Sequence, residues 1–144
     1  MFLLDTNVIS ELSRPEKANS NVVAGASTIP AARFFLSAIS ILELELGALQ
    51  VARRDAARGT VLRTWIDNQV LPRFDGRVLA VDTAVAQRCA RLHVPDGRSE
   101  RGALIAATAM VHGLTVVTRN AADFEPLGVI LLNRRKSHSA TKPK

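Results

Sequence analysis

The chain opens on Phe2-Leu3-Leu4, a short apolar run broken at once by Asp5. Unbroken apolar residues suit a strand buried on both faces, as in the interior of a parallel sheet. Val8, Ile9 and Leu12 then share one helical face, so the opening twelve residues predict a strand, an acid at its carboxyl end and a helix. Such a beginning favours an α/β fold, a central and mainly parallel sheet with helices on both faces. In open sheets of this type ligands bind beyond the carboxyl ends of the strands. Asp5 is therefore a candidate metal ligand, or else the N-cap of the helix it precedes. The pattern returns near the other end, where Leu114-Thr115-Val116-Val117 leads into a polar turn and a second acid, Asp123. Two acids at two strand ends suggest a metal-dependent hydrolase.

Further strands are expected at Phe34–Ala38, Val78–Val81 and Val129–Leu132, beside Phe2–Leu4 and Thr115–Val117. Helical patterns lie between them at Ser40–Ala52, Ala56–Leu71, Thr83–Leu92 and Ala103–His112. Asp82 is placed to cap the third, and Gly113 to close the fourth. With 144 residues and no internal repeat or linker, one domain over residues 1–133 is expected. A basic tail, 134–144, follows.

That tail decides how the charge is read. The formal net charge is +6, but Arg134, Arg135, Lys136, Lys142 and Lys144 supply +5 of it, with no acid among them. A short run of this kind is expected to be solvated and disordered, so the overall basicity says little about nucleic acid. Aromatic residues are 4% of the chain and tyrosine is absent, which excludes a base-stacking platform. Cys89, the single cysteine, reads as a buried, reduced thiol. The N-terminal apolar run stops at Asp5, so no signal peptide or spanning helix is expected, and the expected location is cytoplasmic.

Phosphodiester cleavage has a use for clustered carboxylates. Mg²⁺ is held by a few hard oxygens, leaving positions for water and substrate phosphate, and it stabilises the charge that develops at phosphorus. Beside Asp5 and Asp123, Glu43 is the third candidate, although Ser40-Ile41-Leu42-Glu43 also reads as a capping box. Glu45 stands about 200° around the helix from Glu43, at roughly 100° per residue, so the two cannot share a site. Asp123 could equally close an Asx-turn. His93, His112 and His138 have no metal-ligand spacing.

Four segments in order then carry a resemblance: Leu3-Leu4-Asp5-Thr6-Asn7-Val8-Ile9-Ser10-Glu11-Leu12, Leu36-Ser37-Ala38-Ile39-Ser40-Ile41-Leu42-Glu43-Leu44, Ala103-Leu104-Ile105-Ala106-Ala107-Thr108-Ala109 with His112-Gly113-Leu114-Thr115, and Val117-Thr118-Arg119-Asn120-Ala121-Ala122-Asp123-Phe124. The chain resembles the PIN-domain ribonuclease toxins of the VapC/FitB-like kind, over nearly all of Phe2 to Asn133. The resemblance implies a PIN-like fold and an endoribonuclease that cleaves single-stranded regions of structured RNA, leaving a 5′-phosphate and a 3′-hydroxyl and so inhibiting translation. It implies that Asp5, Glu43 and Asp123 bind Mg²⁺ or Mn²⁺, with Thr6, Thr118 and Asn120 orienting ligands or water. It implies a homodimer and a cognate VapB-like antitoxin, joined in a larger toxin–antitoxin assembly. The antitoxin's C-terminal segment would lie in a groove by the active site and place a basic side chain among the acids. Ser40–Leu71, with Leu62, Trp65 and Ile66, reads equally as that groove or as core.

One residue departs from the family pattern. Gly102 stands where an aspartate, a central metal ligand, normally precedes Ala-Leu-Ile-Ala-Ala. A carboxylate near a helix N-terminus is favoured by roughly 0.3–1 kcal/mol, and glycine in a helix costs about 1 kcal/mol relative to alanine, so the glycine gives up both. Glu100 lies on the opposite side of such a helix and Asp96 in the preceding loop. A weakened or inactive metal site is therefore expected. The rival from another class is a nuclease-dead PIN domain that only binds antitoxin or RNA. A phosphotransfer or nucleotide-binding domain is disfavoured, because no glycine-rich phosphate loop follows the first strand.

Overall fold

The computed structural model describes residues 1–13, 30–133 and 140–141. Strand β1 (Phe2–Leu4) leads into helix α1 (Thr6–Ser13), and β2 (Phe34–Ser37) into α2 (Ala38–Arg54), which Asp55 joins to α3 (Ala56–Trp65). Then follow β3 (Val78–Leu79), α4 (Thr83–Leu92), α5 (Glu100–His112), β4 (Thr115–Thr118), the short α6 (Ala121–Phe124), β5 (Leu131–Asn133) and β6 (Ala140–Thr141). The strands form one sheet in the order β3-β2-β1-β4-β5-β6. Every neighbouring pair is parallel except β5 with β6. Of the expected tail, Ala140–Thr141 form β6, and the remainder lies outside the described residues.

Strand β1 is buried on both faces, as its composition requires. Leu4 packs with Val8, Ile9, Leu36, Trp65 and Ile66 on one side. Leu3 packs with Ile105, Ala106 and Val116 on the other. Helix α5 packs closely through fully buried alanines, Ala106 and Ala109 toward the sheet and Ala103 and Ala107 toward Val85 and Cys89 of α4. Gly113 closes that helix in the left-handed region at φ 67°, where an L side chain would be strained.

Some boundaries move, with consequences for the site. Strand β2 ends at Ser37, whose hydroxyl caps α2 by accepting from the Ile39 N–H at 3.0 Å. Ser40 is thus inside the helix, and the Ser40–Glu43 capping box does not exist. Helix α5 starts at Glu100 rather than Ala103, which puts Gly102 in its first turn. The helical pattern to Leu71 is interrupted by one π-helical stretch, Ile66–Val70. Trp65, Ile66 and Val70 there are core residues, with Leu62 packed against them, so the suggested antitoxin anchors are interior. Glu45 pairs with Arg63 on α3, away from Glu43, and Cys89 is buried as expected. Among the described residues no helix is long and apolar enough to cross a membrane.

Candidate metal centre

The chain crosses from one half of the sheet to the other between β1 and β4, the central neighbours. Splayed connections at such a reversal leave a crevice at the strand carboxyl ends. Asp5 leaves β1 at this point, and its own N–H donates to the Val117 carbonyl at 2.9 Å, so the backbone ladder fixes it. Asn120 follows β4 as the N-cap of α6, and Asp123 lies within that helix. Glu43 comes from the second turn of α2, and Gly102 from the first turn of α5.

A cleft of about 880 Å³ opens there, lined by Asp5, Thr6, Asn7, Glu43, Gly102, Asn120 and Asp123 among others. Six of the seven residues singled out in the sequence therefore meet at one surface. The seventh, Thr118, lies beneath it and is fully buried.

Hydroxyls order the acids. Thr118 donates to Asp5 Oδ2 at 2.9 Å and accepts from the Asn120 N–H at 2.9 Å. The Thr6 N–H donates to Asp5 Oδ1 at 2.8 Å. The Thr6 hydroxyl donates to Glu43 Oε1 at 2.6 Å and lies 3.0 Å from the Ser40 hydroxyl. Burial pushes the Asp5 carboxyl above the usual carboxylate range, and the neighbouring Glu43 and Asp123 charges push the same way; the Thr118 and Thr6 bonds oppose them. Carboxylates crowded in this manner attract a cation.

The donor set suits one kind of cation. Among the described residues no group of three or more His, Cys, Asp or Glu side chains stands ready-made around an ion, so the protein would supply only part of a coordination shell. Mg²⁺ and Mn²⁺ need few protein oxygens and keep much of their water. Asp5 with Glu43 or Asp123 meets that need. Asn7 adds an Oδ1 that is buried without a hydrogen-bond partner. The residues present fit a hydrated divalent ion, loosely held.

Sequence reasoning missed three features. Ser40 belongs to the hydroxyl network rather than to a cap, which became visible only once Ser37 was seen to end β2. Glu11 is buried and ion-paired to Arg119, tying α1 to the residue after Thr118. Arg101, which no sequence pattern singles out, lines the cleft.

A parallel sheet with carboxylates and ordered hydroxyls at its reversal point defines an α/β domain with an acidic catalytic-type cleft. The PIN domain family model matches residues 2–127, and the chain belongs to that family. It is 37% identical to Toxin FitB of Neisseria gonorrhoeae, over 92% of this chain and 97% of the relative. It is 35% identical to VapC ribonuclease Y4jK of Sinorhizobium fredii, over 92% and 96%. The crystal structure of FitAcB from Neisseria gonorrhoeae superposes with a TM-score of 0.83 at 36% identity, covering 93% of this chain and 98% of that one.

Proposed function

We propose that the chain is a metal-dependent endoribonuclease toxin of a toxin–antitoxin pair, and that Gly102 has weakened its metal site. The observation that carries this reading is the convergence of Asp5, Glu43 and Asp123 on one cleft at the sheet reversal. A ribonuclease by name among its relatives, aligned over nearly the whole chain, supports the substrate class. The same kinship supports an antitoxin partner, and a cytoplasmic location belongs to this reading.

Asp5, Glu43 and Asp123 would hold Mg²⁺ or Mn²⁺. When bound, such an ion supplies charge stabilisation at the phosphodiester and acidifies the attacking water. The chain's own residues do the rest. Thr118 holds the Asp5 carboxylate in one rotamer from below, and the Thr6 N–H fixes its other oxygen. Thr6 restrains Glu43 from across the cleft. Asn120, at the rim, is placed to orient water or an RNA oxygen. Fixed acids of this kind need no reorganisation as the phosphate charge develops.

A Cβ built on Gly102 would meet only Ser99 Cβ and Oγ, both at 3.8 Å. That is ordinary contact, so the backbone at the cleft wall accepts a Cβ without strain. The test is Mn²⁺-dependent cleavage of total RNA by the parent and by Gly102→Asp, each with an Asp5→Ala control. A sharp rise in Gly102→Asp that disappears without Asp5 is expected. Silence from both forms, with no Mn²⁺ bound, would overturn the nuclease reading in favour of a binding module.

A further inference from the structure

Arg101 precedes the glycine at the cleft wall, and its Nη1 lies 3.9 Å from Glu43 Oε2. The two side chains are 47% and 27% exposed. A pair that open contributes little to stability, so its consequence is to be sought in the charge of the cleft. Four carboxylates line that cleft, Asp5, Glu43, Glu100 and Asp123, together with two guanidiniums, Arg98 and Arg101. The formal sum is −2, enough to balance one divalent ion and no more. Of the two arginines, Arg101 is the one paired with a candidate ligand among the described residues.

We propose that Arg101 is a built-in counter-cation of the acid cleft. It pairs with Glu43, competes with a divalent ion for that carboxylate, and limits the cleft to one such ion. The proposal rests on the metal reading given above. It also adds to the account of Gly102. That position lacks a negative charge, and the residue beside it contributes a positive one, so both features weaken cation binding. Arginine keeps its charge at every accessible pH, which makes the competition a fixed property of the cleft.

Mn²⁺ binding to the protein alone tests this by titration calorimetry, with no RNA present. Arg101→Gln removes the charge and keeps much of the side chain. A divalent ion feels a neighbouring unit charge twice over, so a gain in affinity on the order of five- to tenfold is expected. Arg101→Lys should stay within about twofold of the parent, because the point charge remains. Asp5→Asn should lose binding. If Arg101→Gln leaves affinity unchanged while Asp5→Asn abolishes it, the counter-cation is refuted and the metal reading stands. An equal gain from Arg98→Gln would also refute it, since the effect would then be a general field. If Asp5→Asn binds Mn²⁺ like the parent, the ion is not in this cleft and both readings fall. The Arg101 side chain is half exposed and packs in no core cluster, and matched melting curves will show that each variant is folded.

Discussion

Thr118→Val isolates one hydroxyl in the centre of the site. Threonine and valine have nearly the same shape, and position 118 is fully buried at the end of β4, where valine packs well. The hydroxyl makes two bonds, donating to Asp5 Oδ2 and accepting from the Asn120 N–H. Losing a bond to a charged group costs about 1.5–3 kcal/mol, and losing a neutral one about 0.5–1.5. Part of the second cost returns, because Asn120 is exposed and its N–H can turn to water. A net loss of about 2–4 kcal/mol is expected for Thr118→Val near neutral pH. For a chain of this length that corresponds to a fall in Tm of roughly 6–15 °C. Urea melts at pH 7 measure it directly. Thr118→Ser keeps both bonds and loses a methyl, which costs about 1 kcal/mol. The Asp5 carboxyl, followed by carbon NMR, should titrate at still higher pH in the valine variant, because the bond that opposed its burial is gone. Were Thr118→Val as stable as the parent and Thr118→Ser the weaker, packing and not the hydroxyl would be what matters at this position.

Gly59→Ala should destabilise, although alanine is the better helix former by about 1 kcal/mol. Its Cβ would fall 2.4 Å from Ala52 Cβ and 2.5 Å from Ala52 Cα, so α2 and α3 must separate; a loss of about 1–3 kcal/mol in urea melts is expected. Trp65→Ala removes the largest side chain of the β1–α3 core and should cost about 3–5 kcal/mol, read as global unfolding rather than as selective loss of antitoxin binding. Arg63 holds the Glu45 carboxyl below its ordinary value. The stability this pair contributes is therefore present above about pH 4.5, the unfolded carboxylate's range, and is lost as pH falls through the depressed folded value. Arg63→Ala should flatten that acid limb in melts between pH 3 and pH 6, and only slightly, because solvent screens so exposed a pair.

The interior of the sheet was legible because its signal is local. Phe2-Leu3-Leu4 and Thr115-Val116-Val117 are strands buried on two faces, and nothing but a parallel sheet gives them that burial. Asp5 and Asp123 could be picked out because each follows such a run. Glu43 was ambiguous for a physical reason: whether Ser37 or Ser40 caps α2 depends on where β2 stops, and β2 is set by pairing with β1 and β3. The same limit applied to Trp65. An apolar stripe on a helix has one appearance whether it meets a partner or its own sheet, and only the packing against Leu4 and Leu36 decides. Arg101 was invisible because its contact with Glu43 joins segments far apart in sequence. Gly102 shows the opposite case. The sequence marks the missing carboxylate, while the structure adds that a Cβ fits there in ordinary contact.

The bond from Thr118 to Asp5 spans 113 residues, and that separation carries a consequence for synthesis. A ribosome delivers Asp123 more than a hundred residues after Asp5, so no chain that stops short of β4 can assemble the cleft. Until β4 emerges and slots in beside β1, the strand carrying Asp5 lacks the neighbour that shields it, and Asp123 is not yet present to join Asp5 and Glu43. An RNA-cleaving activity built in this order cannot switch on while most of its own chain is still being made beside the ribosomal RNA.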